Sequence, residues 1–326
     1  MQGTRKAIAF RDPAARPLLA PPPMYTPFKP SRSSTLSLRH LNYHVRHWGP
    51  EQSPLPTLVL LHGWMDVSAS YQFTVDALLQ ERRIIAPDWR GFGLTSNAQA
   101  DHYFFADYLA DLDLLLDHYA PGEAVDLVGH SMGGNIAMMY AGVRPERIRR
   151  LVNLEGFGMP ATRPDQAPRR YAQWIDELKQ LRSGELALKT YDSQDGVARR
   201  LMKTNPRLSQ DKAQWLAGHW ARPNAQGQWE ILGDPAHKIT SAQLYRLDEA
   251  LALYDRIAAP VLAVEASDDS LAGWWKERYT LAEYHQRLQA VPDCRLARVE
   301  DAGHMLHHDQ PAAVARLIED FCTAAA

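Results

Sequence analysis

Ser131 stands at the centre of Gly129-His130-Ser131-Met132-Gly133, after the apolar run Val125 to Val128 and before Gly134, Ala137, Met138 and Ala141. That order reads as strand, sharp turn and helix. The turn lifts the hydroxyl clear of a sheet and over a helix N-terminus, where free N–H groups and the helix dipole favour developing negative charge. Glycines flank the serine because a side chain at either place would collide with the neighbouring strand and helix. The chemistry such a turn serves is nucleophilic attack. A serine hydroxyl attacks when a base takes its proton, and the base works when an acid orients it. His304, in Asp301-Ala302-Gly303-His304-Met305, is the candidate base, on a loop after the run Arg295 to Val299. Asp269, in Ala266-Ser267-Asp268-Asp269, is the first candidate acid. Asp268 beside it and Glu155, directly after Leu151 to Leu154, are the alternatives. The oxyanion formed on attack needs two donors. The N–H of Met132 follows the nucleophile, and the N–H of Trp64 in His62-Gly63-Trp64-Met65 supplies the second. The Trp64 side chain either walls an acyl pocket or packs under its own loop. His62 is read as an anchor for that loop and His130 as a support for the serine turn.

These groups need elements to hold them. Leu36 to His40 and Asn42 to Trp48 suggest an antiparallel hairpin. Thr57 to Leu61, Ile84 to Ala86, Val125 to Val128 and Leu151 to Leu154 are short apolar strands, with helical runs between them such as Phe105, Leu109, Leu112 and Leu116. Strand and helix in alternation with short buried strands imply a parallel sheet with helices on both faces. The alternation stops near Gly158. From Met159 to Asp255 the chain is rich in Arg, Gln, Trp and Leu and reads as helical. It resumes with Val261 to Val264, Arg295 to Val299 and a last helix from Pro311 to Cys322. The expected organisation is a Pro-rich arm over residues 1–35, a first core part over 36–158, a helical insertion over 159–257 and a second core part over 258–326. Trp174, Trp215, Trp220 and Trp229 in the insertion either line a pocket or pack its helices. Arg169-Arg170 and Arg199-Arg200 are solvated surface or a grip for a substrate carboxylate.

Composition narrows the function. A net charge of −2 and a pI of about 6.7 give no electrostatic case for nucleic acid or an anionic membrane. The two cysteines, Cys294 and Cys322, form no dense framework and read as inert thiols. No Cys/His spacing suggests zinc, and His307-His308 reads as a surface pair, because adjacent helical residues do not face one way. No metal and no organic cofactor is expected. No apolar run approaches about 18 residues, so no membrane span is expected. Met1 to Pro30 lacks the apolar segment of a secretory signal, and cytoplasmic residence is the expectation. The sequence carries no signal for oligomeric state.

Four segments in order carry a resemblance: His62-Gly63-Trp64, Asp88-Trp89-Arg90-Gly91-Phe92-Gly93, Gly129-His130-Ser131-Met132-Gly133-Gly134 and Gly303-His304. With the order serine, acid, histidine, they make the chain similar to the α/β-hydrolase superfamily from about Leu36 to Phe321. The resemblance implies an eight-stranded, mostly parallel sheet with helices on both faces and a helical cap inserted after the sixth strand. It implies a cofactor-free serine hydrolase acting on a small-molecule ester through an acyl-enzyme. Acyltransferases, C–C hydrolases and cofactor-free haloperoxidases share the same triad, and a non-catalytic binding protein is the reading from another class. Two departures matter. Ala266 stands where the family often has glycine three residues before the acid. Glu155 occupies the place where related dehalogenases put theirs, but those enzymes attack with aspartate, and here the residue is Ser131.

Overall fold

The computed structural model describes residues 24–96 and 100–324. The Pro-rich centre of the expected arm, Arg16 to Pro23, lies outside them. In chain order the first half comprises β1 (Arg32–Leu38), β2 (Leu41–Trp48), β3 (Leu58–Leu61), α1 (Gln72–Ala77), β4 (Ile84–Pro87), α2 (Phe105–Tyr119), β5 (Val125–His130), α3 (Met132–Val143) and β6 (Ile148–Leu154). An insertion follows: α4 (Ala167–Ser183), β7 (Thr190–Tyr191), α5 (Gln194–Thr204), α6 (Gln210–Trp220), β8 (Ala221–Pro223), β9 (Trp229–Ile231) and α7 (Leu247–Tyr254). The chain closes with β10 (Val261–Ala266), α8 (Ser270–Trp275), α9 (Leu281–Leu288), β11 (Cys294–Val299), α10 (Leu306–Asp309) and α11 (Pro311–Thr323).

Eight strands form one sheet in the order β1-β2-β4-β3-β5-β6-β10-β11. β1 and β2 are antiparallel, β2 runs antiparallel to β4, and every pairing from β4 to β11 is parallel. The expected hairpin therefore exists, but its first strand begins at Arg32, inside the stretch assigned to the arm. The polar Arg32-Ser33-Ser34-Thr35 is strand because it pairs residue by residue with Val45 to His47 and His44.

Strand alternation divides the core. Val59, Leu61, Val125, Leu127, Leu151, Val261 and Ala263 face one side with α2, α3 and α9, whereas Leu58, Leu60, Val128, Val152, Leu262 and Val264 face the other with α1 and α11. Helices cover both faces, as the parallel strands require. The insertion is not purely helical. β7, β9 and β8 form a small antiparallel sheet beside α5 and α6. Trp215, Trp220 and Trp229 pack against the third apolar cluster there, with Val197, Leu201 and Leu216.

Candidate active site

β5 ends at His130, α3 begins at Met132, and Ser131 between them takes φ +52° and ψ −116°. A non-glycine residue at positive φ costs about 1–3 kcal/mol, which the surrounding turn must offset. The Ser131 N–H bonds Leu154 O at 2.8 Å, and its carbonyl accepts from Asn135 N at 3.0 Å, so backbone bonds fix the turn. The flanking glycines are needed for space. A Cβ on Gly129 would overlap the carbonyl of Gly133, and a Cβ on Gly133 would overlap the carbonyl of Leu61. Both obstacles are backbone and cannot swing away. Gly133→Ala should therefore destabilise the fold by more than about 3 kcal/mol, read as a large drop in Tm or loss of soluble protein.

His304 follows β11 on a loop stitched at several points. Gly303 N–H bonds Asp309 Oδ2 at 2.9 Å, Asp268 N–H bonds Ala302 O at 3.0 Å, and His130 Nε2 donates to His304 O at 2.7 Å. His304 Nδ1 lies 3.3 Å from Glu155 Oε2. Asp269, expected to orient this ring, makes no hydrogen bond to it in the structure. Asp269 is exposed, and its carboxylate caps α8 by accepting from Ala272 N at 2.8 Å. Asp268 faces the other way, onto Arg207 at 2.7 Å. Glu155, the alternative from sequence, is buried beneath His304. Its φ of +55° turns the side chain back under the end of β10, where Oε1 accepts from Ala266 N and Oε2 from Ser270 Oγ, each at 2.7 Å.

Burial raises the Glu155 carboxyl to about 7, and the two hydrogen bonds hold it below where burial alone would put it. Burial also pushes the His304 imidazole down. Neutral His304 with Nδ1–H toward Glu155 leaves Nε2 as the nitrogen with a lone pair for a proton. Asn153 braces the turn that holds Glu155: its Nδ2 donates to Gly156 O at 2.8 Å and its Oδ1 accepts from Gly156 N at 3.0 Å. Neither Asn153 nor Ser270 was legible as a site residue, because nothing in the local sequence says which carboxylate they serve.

The loop after β3 carries the other expected donor. Trp64 precedes Met65, whose φ is +54°, and the indole N–H of Trp64 donates to His237 O at 3.3 Å. Trp64 is 52% exposed, so its ring faces open space rather than the core. His62 anchors this loop. Its Nδ1 donates to Gly63 O at 2.8 Å and its Nε2 accepts from Trp89 N at 2.8 Å. Met132 opens α3, and the first N–H groups of a helix have no intrahelical acceptor. Ser131, His304 and Trp64 line one cavity of about 520 Å³, between the sheet's edge loops and the insertion. Leu201 and Trp220 wall it from the insertion, and Trp274 sets its edge against the His304 ring at 4.4 Å between centroids.

Two other readings are settled by burial. His307 and His308 are not a surface pair: they are 0% and 4% exposed. Cys294 and Cys322 are unpaired, and burial pushes the thiols up to about 11 and 12. Among the described residues no helix is long and apolar enough to cross a membrane.

Comparison with known proteins adds a family and a set of relatives. A family model described as the alpha/beta hydrolase fold matches residues 56–311. A serine hydrolase-like protein of Danio rerio is 28% identical over 280 residues, 84% of this chain and 83% of that one. A 2-hydroxy-6-oxo-2,4-heptadienoate hydrolase of Pseudomonas putida is 36% identical over 105 residues, 31% of this chain and 38% of that protein. Among solved structures, the thioesterase domain from the curacin biosynthetic pathway superposes with a TM-score of 0.76 at 22% identity. The match covers 89% of this chain and 99% of the domain.

Proposed function

Because the chain belongs to the α/β-hydrolase family, we propose that it cleaves carboxylic esters of small to medium apolar molecules through an acyl intermediate on Ser131. One observation carries the reading. The strained Ser131 opens into the same cavity as His304, and Nδ1 of His304 meets the buried carboxylate of Glu155. Ser131 Oγ attacks the ester carbonyl as His304 Nε2 takes the hydroxyl proton. The tetrahedral oxyanion is held by the N–H groups of Met132 and Trp64. His304 returns the proton to the leaving alkoxide, the C–O bond breaks, and alcohol departs. Water then attacks the acyl carbon, giving its proton to His304, and the acid leaves as Ser131 recovers its hydrogen. Glu155 holds the ring and balances its transient positive charge, a positioning role that needs no metal or organic cofactor. The insertion serves as the cap that sizes the substrate.

The cavity walls refine the substrate. Lys189, Arg200 and Lys238 line it, all exposed, whereas the acidic side chain at its floor, Asp66, is 4% exposed. An apolar wall with a cationic rim favours an ester whose far end carries a carboxylate. That rim also supports a second reading, hydrolysis of a C–C bond in an anionic keto acid. The Pseudomonas relative bears on it, since the compound in that protein's name is a carboxylate.

The experiment is a panel of p-nitrophenyl esters of graded acyl length, neutral and ω-carboxylated, beside an anionic dienoate. Saturable turnover of the esters supports the first reading. Turnover of the dienoate alone moves the assignment to the second, and release of neither at more than the uncatalysed rate contradicts both. In the same panel the double variant Lys189→Ala/Arg200→Ala should raise KM for the carboxylated esters roughly tenfold and leave the neutral ones unchanged.

A further inference from the structure

A group of polar side chains lies behind the proposed base, and the ester chemistry does not use it. Asp66 follows Trp64 on the same loop, and His307 and His308 lie in the single turn of α10. All three are buried, at 4%, 0% and 4% exposed. One ligand atom from each lies within 4.8 Å of the others, and His307 Nε2 is 4.0 Å from Asp66 Oδ2. Among the described residues, Asp66 Oδ2, both ring nitrogens of His307 and Nε2 of His308 have no hydrogen-bond partner. Buried polar atoms are nearly always satisfied, and leaving several together unpaired is unfavourable. Such a gathering points to an occupant.

We infer that Asp66, His307 and His308 bind a divalent cation of the zinc class. Two imidazoles and one carboxylate suit Zn²⁺, Co²⁺ or Ni²⁺ over Mg²⁺ or Ca²⁺, which prefer oxygen alone. The other carboxylate oxygen is already held: Asp66 Oδ1 accepts from Ser70 Oγ and, at 3.0 Å, from Trp220 Nε1. That is the outer hydrogen bonding which fixes a metal-binding carboxylate. With metal–ligand bonds of about 2.0–2.2 Å, the donors need only close by roughly an ångström. Asp66 and His308 also line the Ser131 cavity, so an ion held by them would lie beside it.

The site reaches the proposed base through one side chain. The His130 ring packs on both His304 and His307, with centroids 4.7 and 4.3 Å away and planes tilted by 44° and 48°, and its Nε2 donates to His304 O. Occupancy is thus expected to change ester turnover as well.

The test is equilibrium dialysis of the metal-stripped full chain against Zn²⁺, with the visible spectrum of the Co²⁺ form recorded alongside. Neither readout depends on the role of Ser131, and Ser131→Ala should give the same counts as wild type. One equivalent per chain is expected, with d–d bands of a four-coordinate nitrogen and oxygen site. Asp66→Asn and His308→Gln should each lose at least ten-fold in affinity and weaken those bands. Circular dichroism checks that each variant is folded. Should either fail to fold, the other and His307→Gln decide. No equivalent in wild type overturns the inference and assigns the orphaned atoms to water. An equivalent retained undiminished in every folded variant overturns it too, by placing the ion elsewhere.

Discussion

Glu155→Gln should lower kcat for ester hydrolysis by roughly 10⁴-fold, whereas Asp269→Asn should leave it within about a factor of two. Glutamine keeps the shape of the side chain and much of its hydrogen bonding, so the loss reports the charge and the tautomer. A carboxylate facing Nδ1 keeps the proton on that nitrogen and frees Nε2. An amide can present its own N–H and reverse the assignment. Asp269 has no such contact with His304; its carboxylate sits on the α8 N-terminus. The pH profile carries the same signature. Glu155 is raised by burial to about 7, eased by the Ala266 N–H and the Ser270 hydroxyl and pushed further by the nearby Asp268 and Asp269. The carboxylate is the working form, so activity should be full above that value and fall as the pH drops through it. The pair takes up one proton there. Whether that proton rests on Glu155 or on His304, the imidazole loses its orienting charge or its free nitrogen. Steady-state kcat/KM from acid to mildly alkaline pH, for wild type and Asp269→Asn, checks this: both should share one acid limb. A limb that disappears in Asp269→Asn would return the acid's role to that residue.

Ser131→Ala should remove about 10⁶-fold of the rate, leaving what the oxyanion donors and binding supply alone. Alanine at φ +52° carries the same strain as serine, so the variant should melt with wild type. Ser131→Gly should be equally inactive and more stable by about 1 kcal/mol, since glycine adopts that φ freely. Paired kinetics and thermal melts read both effects. Full activity in a folded Ser131→Ala protein is incompatible with the serine's assigned role.

The sheet and the serine turn were legible because their causes are local. Short apolar runs such as Val125 to Val128 and Leu151 to Leu154 mark buried strands by themselves, and a turn squeezed against the carbonyls of Leu61 and Gly133 admits only glycine at Gly133 and Gly129. The acid was not resolved by the same means. Glu155 and Asp269 both follow strands, β6 and β10, which lie side by side, so either carboxylate could reach the same histidine. In the structure it is Glu155, at φ +55°, whose carboxylate meets His304, and the sequence does not announce that conformation at a glutamate. The small sheet of the insertion was missed because strands of two and three residues show no period. His307 and His308 were misplaced for another reason. Helical spacing puts adjacent residues on different faces, but the four-residue α10 is walled on more than one side. Tyr71 packs on the His307 ring and Phe73 on His308, so both directions are interior.

The most direct measurement of the central claim is mass spectrometry of the acid-quenched protein during turnover of a slow p-nitrophenyl ester, followed by peptide mapping. The account predicts an added acyl mass on the peptide holding Ser131, formed in step with a burst of p-nitrophenol. Glu155→Gln should form it far more slowly, and Ser131→Ala should not form it at all. An acyl group on any other residue, or steady turnover with Ser131 never modified, would contradict it.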